Sequence, residues 1–313
     1  MKQITILGGT GFVGSALVAQ LSSAGYRVKV LTRRREASKH LILLPNVEVL
    51  ECNILDEIAL TLALKQTDIV INLVGILHQS KKLTFNKMHV EFPQKVAQLC
   101  VSLNIKRLIH MSALKAHVKA PSAYLQSRGA GEAAVSTYQN QLNLTIFRPS
   151  VIFGRGDSFI NLFANLVKYL PVIALAKPKA KFQPVWVEDV AKAIMLSLEN
   201  ADTYNQTYEL AGPGVYTFKA LIEFVMVVLG KTRPIIGLND TLSYAQAFAM
   251  ELLPVKLMTR DNIKSMEVDS VTNAPFPAIF GFAPSALEVV VPEYLGDDNP
   301  RARYDRFRSN AGR

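Results

Sequence analysis

Gly8-Gly9-Thr10-Gly11-Phe12-Val13-Gly14 follows directly on the apolar run Ile4-Thr5-Ile6-Leu7 and opens a stretch, Phe12–Ser23, whose apolar residues recur at helical spacing. Gly8, Gly11 and Gly14 stand three residues apart. Glycine lets the backbone turn tightly between a strand and a helix and approach a pyrophosphate, whose charge the open amides of the helix start stabilise. A glycine triplet alone also fits an ordinary strand–helix turn. Here it stands in the strand–turn–helix context that the chemistry needs, and predicts a dinucleotide site with Gly8, Thr10, Gly11, Phe12, Val13 and Gly14 around the phosphates.

Outward from that loop, short apolar runs alternate with amphipathic stretches. Strand candidates are Ile4–Leu7, Val28–Leu31, Val47–Leu50, Ile69–Leu73, Leu108–Met111 and Leu144–Phe147; helix candidates are Phe12–Ser23, Asp56–Lys65, His89–Leu103 and Ala123–Tyr138. Continuous Val/Ile/Leu strands suit a parallel sheet covered on both faces. Right-handed crossovers leave a Rossmann-type doubly wound parallel α/β sheet as the expected topology. After about residue 150 the alternation weakens and Pro171, Pro178, Pro184, Pro213 and Pro234 punctuate shorter elements, among them a helix from Phe218 to Leu229 stopped at Gly230. The expected layout is a dinucleotide-binding domain over 1–155, a smaller C-terminal lobe over 156–300 interleaved with it, and a flexible basic tail over 301–313.

The end of the second strand bears on the choice of dinucleotide. An acid there would bond the adenosine ribose 2′-hydroxyl, whereas arginine accommodates a 2′-phosphate. The sequence reads Leu31-Thr32-Arg33-Arg34-Arg35, with no acid before Glu36. Arg33 and Arg34 therefore favour NADP(H), with NAD(H) the alternative and a merely solvated basic turn the bland one.

Composition excludes several classes. Of 313 residues, 50% are hydrophobic and 19% charged, which rules out disorder as the overall state. Cys52 and Cys100 give no disulfide framework, and the five histidines (His40, His78, His89, His110, His117) show no metal-ligand spacing, so no metal is expected. The N-terminus lacks a signal-peptide pattern, and the most apolar window, Phe159–Ala176, carries Asn161, Asn165 and Lys168 and is broken by Pro171. That window reads as a buried helix followed by a loop. Net charge is +10, mean hydropathy +0.19, and the tail from Arg301 to Arg313 holds five Arg against Asp305. No helix-turn-helix, zinc-finger or RNP pattern accompanies the charge, so the expected partner is an anionic membrane surface or a membrane-associated protein complex rather than nucleic acid. A cytoplasmic protein, peripheral on the inner face of the membrane, fits these features.

Further motifs carry a resemblance to the extended and atypical branch of the short-chain dehydrogenase/reductase superfamily. Asn72-Leu73-Val74-Gly75 resembles its NxxG element, which implies that Val74 and Gly75 line the cofactor. Cys52-Asn53-Ile54 stands where the branch has an Asp and an aliphatic residue beside adenine, here Asn53 and Ile54. Arg148-Pro149-Ser150-Val151-Ile152-Phe153-Gly154 resembles its RPxxxxG motif, placing Pro149 and Val151 on the nicotinamide side. Pro184–Ala191 and Tyr208–Pro213 resemble second-lobe motifs of the same branch.

The resemblance implies a catalytic set of Ser112, Tyr124 and Arg128. The superfamily uses a Tyr-xxx-Lys pair, in which the lysine cation makes tyrosine, ordinarily titrating near pH 10, a useful acid or base. Here Tyr124-Leu125-Gln126-Ser127-Arg128 puts arginine in the lysine position. Positions 124 and 128 share a helix face, so the two can meet. Arginine keeps the charge but is planar and bulkier than an ammonium. Tyr124 is thus either an acid/base or a cofactor-lining aromatic without chemistry. His89 and His110 read as hydrogen-bonded structural residues rather than catalysts.

A narrower resemblance is to the Rossmann-type accessory subunit of respiratory complex I and its bacterial relatives. It rests on Leu257–Ile263, Phe280-Gly281-Phe282, Ser285-Ala286-Leu287 and Tyr294-Leu295. It implies an NADP(H)-binding structural or assembly subunit of a respiratory-type membrane complex. The alternative is an NADPH-dependent reductase or epimerase of a small lipophilic carbonyl or quinone-like substrate, acting through Tyr124 and Ser112.

Overall fold

The first half of the chain alternates β1 (Gln3–Leu7), α1 (Phe12–Ser23), β2 (Arg27–Thr32), α2 (Lys39–Ile42), β3 (Val47–Glu51), α3 (Glu57–Leu64), β4 (Ile69–Asn72), α4 (Phe92–Ser102), β5 (Arg107–Met111), α5 (Ala123–Ser136) and β6 (Asn143–Pro149). There follow β7 (Ile152–Phe153), α6 (Ile160–Tyr169), β8 (Ile173–Leu175), β9 (Lys181–Phe182), β10 (Val185–Trp186), α7 (Val187–Ser197), β11 (Gln206–Leu210), β12 (Tyr216–Thr217), α8 (Phe218–Val228), β13 (Ile235–Gly237), α9 (Asp240–Glu251), α10 (Arg260–Ser265) and α11 (Leu287–Leu295). This computed structural model describes residues 2–252 and 258–295. The tail over 301–313 and Leu257 lie outside the described residues.

Two units make up the chain. The first takes residues 2–149, 187–210 and 277–282. Its sheet runs in the order β11-β6-β5-β4-β1-β2-β3 with every pairing parallel. β4 is buried at all four residues and β5 at all five, as strands covered on both faces must be. Leu7, Val70, Leu108 and Ile146 of the sheet share a core with Leu60 of α3, Val96 of α4 and Val135 of α5, while α1 packs against α7. The strand order reverses between β1 and β4, and at such a switch point the loops leaving the two strands part to form a crevice.

Residues 187–210, in the part of the chain expected to interleave with the first domain, belong to the first unit. β11 pairs with β6, Gln206 opposite Thr145, and so extends the main sheet. Arg107, buried in β5, holds the helix before β11: Nη2 donates to Ser197 O (2.6 Å) and Nε to Leu198 O (3.2 Å), carbonyls at the end of α7. A buried cation against helix-terminal carbonyls is a favourable pairing that local sequence pattern does not announce.

The second unit takes residues 150–186, 211–252, 258–276 and 283–295. Phe159, Phe163, Phe182 and Phe218 cluster with ring centroids 5.0–5.9 Å apart, and α6 and α11 both pack on α8. The stretch after α6, expected as loop, contains β8, whose pairing with β13 supplies hydrogen bonds that a short apolar run finds only in a partner far along the chain.

Candidate functional site

The glycine loop leaves β1 at the switch point. Gly8 has φ +83° and lies against the β4 loop, where a β-carbon would stand 3.1 Å from Leu73 C and 3.2 Å from Val74 N. Gly11 N–H donates to Gly8 O at 3.0 Å, closing the turn. At Gly14 a β-carbon would stand 2.3 Å from Gly8 O and 2.5 Å from Gly9 Cα, so only glycine lets α1 start this close to the loop. Gly11 caps α1 without a side-chain hydrogen bond, and the first turn holds no acidic residue. The amides of Phe12 and Val13 thus face outward with the positive end of the helix dipole behind them.

The basic turn lies at the end of β2, beside β1 in the sheet, with Leu31 opposite Leu7. Arg33 and Arg34 are exposed, and their side chains make no hydrogen bond or ion pair among the described residues. Arg35 is committed elsewhere, its Nε donating to Val49 O at 3.2 Å. Cys52 N–H donates to Thr32 O, which sets Asn53 and Ile54 next to this turn. Asn53 Oδ1 accepts from Leu55 N–H at 3.2 Å, so its acceptor is used within its own loop. The Cys52 thiol is buried, and burial followed by Asp56 raises its pKa, which keeps it unreactive.

On the other side of the switch point, Asn72 shapes the β4 loop. Its Oδ1 accepts from Val74 N–H (3.1 Å) and its Nδ2 meets His110 Nδ1 (3.3 Å). Arg128, buried on α5, reaches across to the strand ends: Nη1 donates to Met111 O at 3.1 Å, and the guanidinium lies against Gly75. Its Cζ is 5.4 Å from the centroid of the Tyr124 ring. Ser112 follows β5 directly; it is buried, with no hydrogen-bond partner for Oγ among the described residues, as is Arg128 Nε. The predicted trio is thus gathered around the ends of β4 and β5.

His89 belongs to this group and was read in the sequence only as structural. It sits in a π-helical turn (Asn86–Glu91) leading into α4, buried and stacked on Phe85, with Tyr124 edge-on at 5.6 Å. Ile76 N–H donates to its Nε2 (3.0 Å), which fixes the proton on Nδ1, and Nδ1 donates to Ser127 Oγ (2.8 Å). Ser127 Oγ in turn donates to Tyr124 O at 2.7 Å. Burial first, then the Arg128 charge, push His89 down to about 3, and the same two causes push His110 down to about 3. Both are therefore neutral at pH 7. His89 ties the β4 loop to the turn of α5 that carries Tyr124 and Arg128. Separations of 13 and 38 residues hide such a role from any reading of local spacing.

With this geometry in place, one comparison decides the family. The model of the NAD dependent epimerase/dehydratase family matches residues 4–211. The chain belongs to that family. Among its relatives is the mitochondrial NADH dehydrogenase (ubiquinone) 1 alpha subcomplex subunit 9 of Mus musculus, 30% identical over 93% of this chain and 79% of that protein. Another is a ceramide reductase of Caulobacter vibrioides, 28% identical over 61% of this chain and 59% of that one. Among solved structures, MoeE5 in complex with UDP-glucose and NAD superposes with a TM-score of 0.74 at 16% identity, covering 97% of this chain and all of that chain (100%). That likeness is one of fold.

The residues present fit the NAD(P)-type dinucleotide of the epimerase/dehydratase family. The glycine loop is a cradle that β-carbons would fill, and the start of α1 offers amides to a pyrophosphate. Pro149 ends β6, where its carbonyl accepts from Leu114 N–H at 2.8 Å. Val151 belongs to the second unit, where its carbonyl accepts from Val185 N–H at 3.0 Å. Among the described residues, no three His, Cys, Asp or Glu side chains gather as a metal would need, and no helix is long and apolar enough to cross a membrane.

Proposed function

We propose that this protein works mainly by holding NADP(H), as a structural or assembly subunit of a respiratory-type membrane complex, with little or no turnover of its own. The observation that carries this reading is Arg128. Its guanidinium is committed to Met111 O and packed on Gly75, and it meets Tyr124 through the ring rather than as a compact ammonium. Exposed Arg33 and Arg34 beyond β2 support the 2′-phosphate preference. The relationship to the mitochondrial complex I subunit of mouse supports the assembly role and a peripheral place at a membrane; a cytoplasmic location on the inner face of that membrane is part of the same proposal.

Bound nucleotide would stabilise the fold by RT ln(1 + [L]/Kd), about 2.7 kcal/mol at a hundredfold excess over Kd. The deciding experiment identifies the nucleotide that co-purifies with the protein and asks whether it turns over. NADP(H) retained without turnover is the expected result; release of an oxidised cofactor during incubation with carbonyls or quinones overturns it.

A second reading keeps a reductase of lipophilic carbonyls. It is favoured by Ser112, whose buried Oγ has no partner among the described residues, beside a retained tyrosine. The kinship with a protein named ceramide reductase points the same way. In that case NADPH would supply a hydride, and Ser112 and Tyr124 would hold the carbonyl oxygen.

A further inference from the structure

One patch of the second unit stays apolar at its surface although the core beneath it is closed. α6 ends in Lys168-Tyr169, and Leu170, Pro171 and Val172 lead into β8. Alongside runs the connection from α8 to β13. Ile173 N–H donates to Pro234 O (2.9 Å), Arg233 Nε donates to Val167 O (3.2 Å), and Ile236 pairs with Ala174. Val167 and Ile173 are buried, whereas Tyr169 is 82% exposed, Ile236 56%, and Leu170 and Val172 41% each.

The charge of this region has one sign. Residues 158–186 and 224–239 contain no Asp or Glu, and carry Lys168, Lys177, Lys179, Lys181, Lys231 and Arg233. Of the acidic residues next to these stretches, Asp157 is buried with its carboxylate on the amides of Gly154, Phe159 and Asn161, Glu223 pairs with Lys219 at 3.5 Å and Asp240 with Lys177 at 2.8 Å.

We infer that this patch seats on the interface of an anionic phospholipid bilayer. Tyr169, Leu170, Val172 and Ile236 enter the boundary between headgroups and acyl chains, and Lys168, Lys231 and Arg233 lie among the phosphates. Lysine is depleted in protein–protein interfaces, whereas exposed aliphatics and a tyrosine flanked by basic residues, with no acid among them, are the composition of an interfacial membrane contact. Lysine stems reach past apolar neighbours to the headgroups, and tyrosine has one apolar and one wet end. The inference rests on the proposed peripheral location and names the surface that makes it; it stands apart from nucleotide binding, and its failure would leave that part of the reading untouched.

The test is co-sedimentation of the full chain with vesicles of phosphatidylcholine containing phosphatidylglycerol, against phosphatidylcholine alone. The protein is expected on the anionic vesicles at low salt and off them at high salt. Y169S with I236S should lower partitioning about tenfold or more. K168Q with K231Q leaves the packing untouched and should lower it about fivefold per charge removed. Nucleotide affinity and melting temperature should hold in both variants. Three results overturn the inference: no binding to anionic vesicles at low salt, full binding by both variants with loss only when the arginines of 301–313 are replaced, or a patch that alters self-association instead of vesicle binding.

Discussion

The Arg128 guanidinium lies so close over Gly75 that a β-carbon at residue 75 would stand 2.0 Å from Nη2. The two residues are 53 positions apart, one on the loop after β4 and the other on α5, and each is explained by the other. Gly75 leaves room for the guanidinium, and the guanidinium bonded to Met111 O closes the end of the sheet.

Because the colliding group is the far end of a flexible side chain, G75A should move Arg128 rather than unfold the protein. We expect a double-mutant cycle of G75A with R128A to show a coupling of about 0.5–3 kcal/mol in stability. Additive effects in denaturant unfolding would mean that the two residues do not share space in solution.

Cofactor choice should follow the basic turn. NADPH is expected to bind more tightly than NADH, and R33D should remove the preference by about 1.5–3 kcal/mol if the phosphate contact is charge-assisted. Calorimetry giving equal affinities for the unaltered protein would contradict this.

The chemistry of the site depends on what cation faces Tyr124. The unaltered protein should oxidise NADPH little or not at all with carbonyls or quinones. R128K frees the space over Gly75 and offers an ammonium, so measurable turnover is expected there, abolished again by adding Y124F. Robust turnover by the unaltered protein, lost in Y124F, would refute the binding-only reading.

Stability should fall in acid for a reason located at His89 and His110. Both are held neutral in the fold, near 3, while in the unfolded chain they protonate around 6.5. The unfolded state binds more protons between those values, so their contribution is complete above about pH 6.5 and is lost as pH falls toward 3. Each histidine adds a slope approaching about 1.4 kcal/mol per pH unit in that window. Denaturant midpoints measured from pH 7 downward should show the slope, and H89Q should flatten it; an unchanged slope in H89Q would place the titration elsewhere.

The Rossmann-type sheet, the glycine loop and the motifs that mark the family are all legible in the residue order alone. These are local signals: apolar runs of strand length, helical spacing, and glycines at a strand–helix turn, each written within about ten residues. α1 over Phe12–Ser23 and the six first strands were legible for that reason. Ser112, Tyr124 and Arg128 were legible as a motif, but not what Arg128 does. Its bond to Met111 O and its place over Gly75 arise because parallel pairing of β4 with β5 brings the ends of both strands under one helix. Tertiary structure alone also decided the tautomer and neutrality of His89, which needed Ile76, Ser127 and Arg128 assembled around it, and the addition of β11 to the sheet, which needed Arg107 to receive the end of α7. Such contacts join residues 13 to 91 positions apart, and no periodicity in the chain encodes them; burial of apolar faces against the sheet sets which strands and helices meet, and the polar pairings follow from that packing.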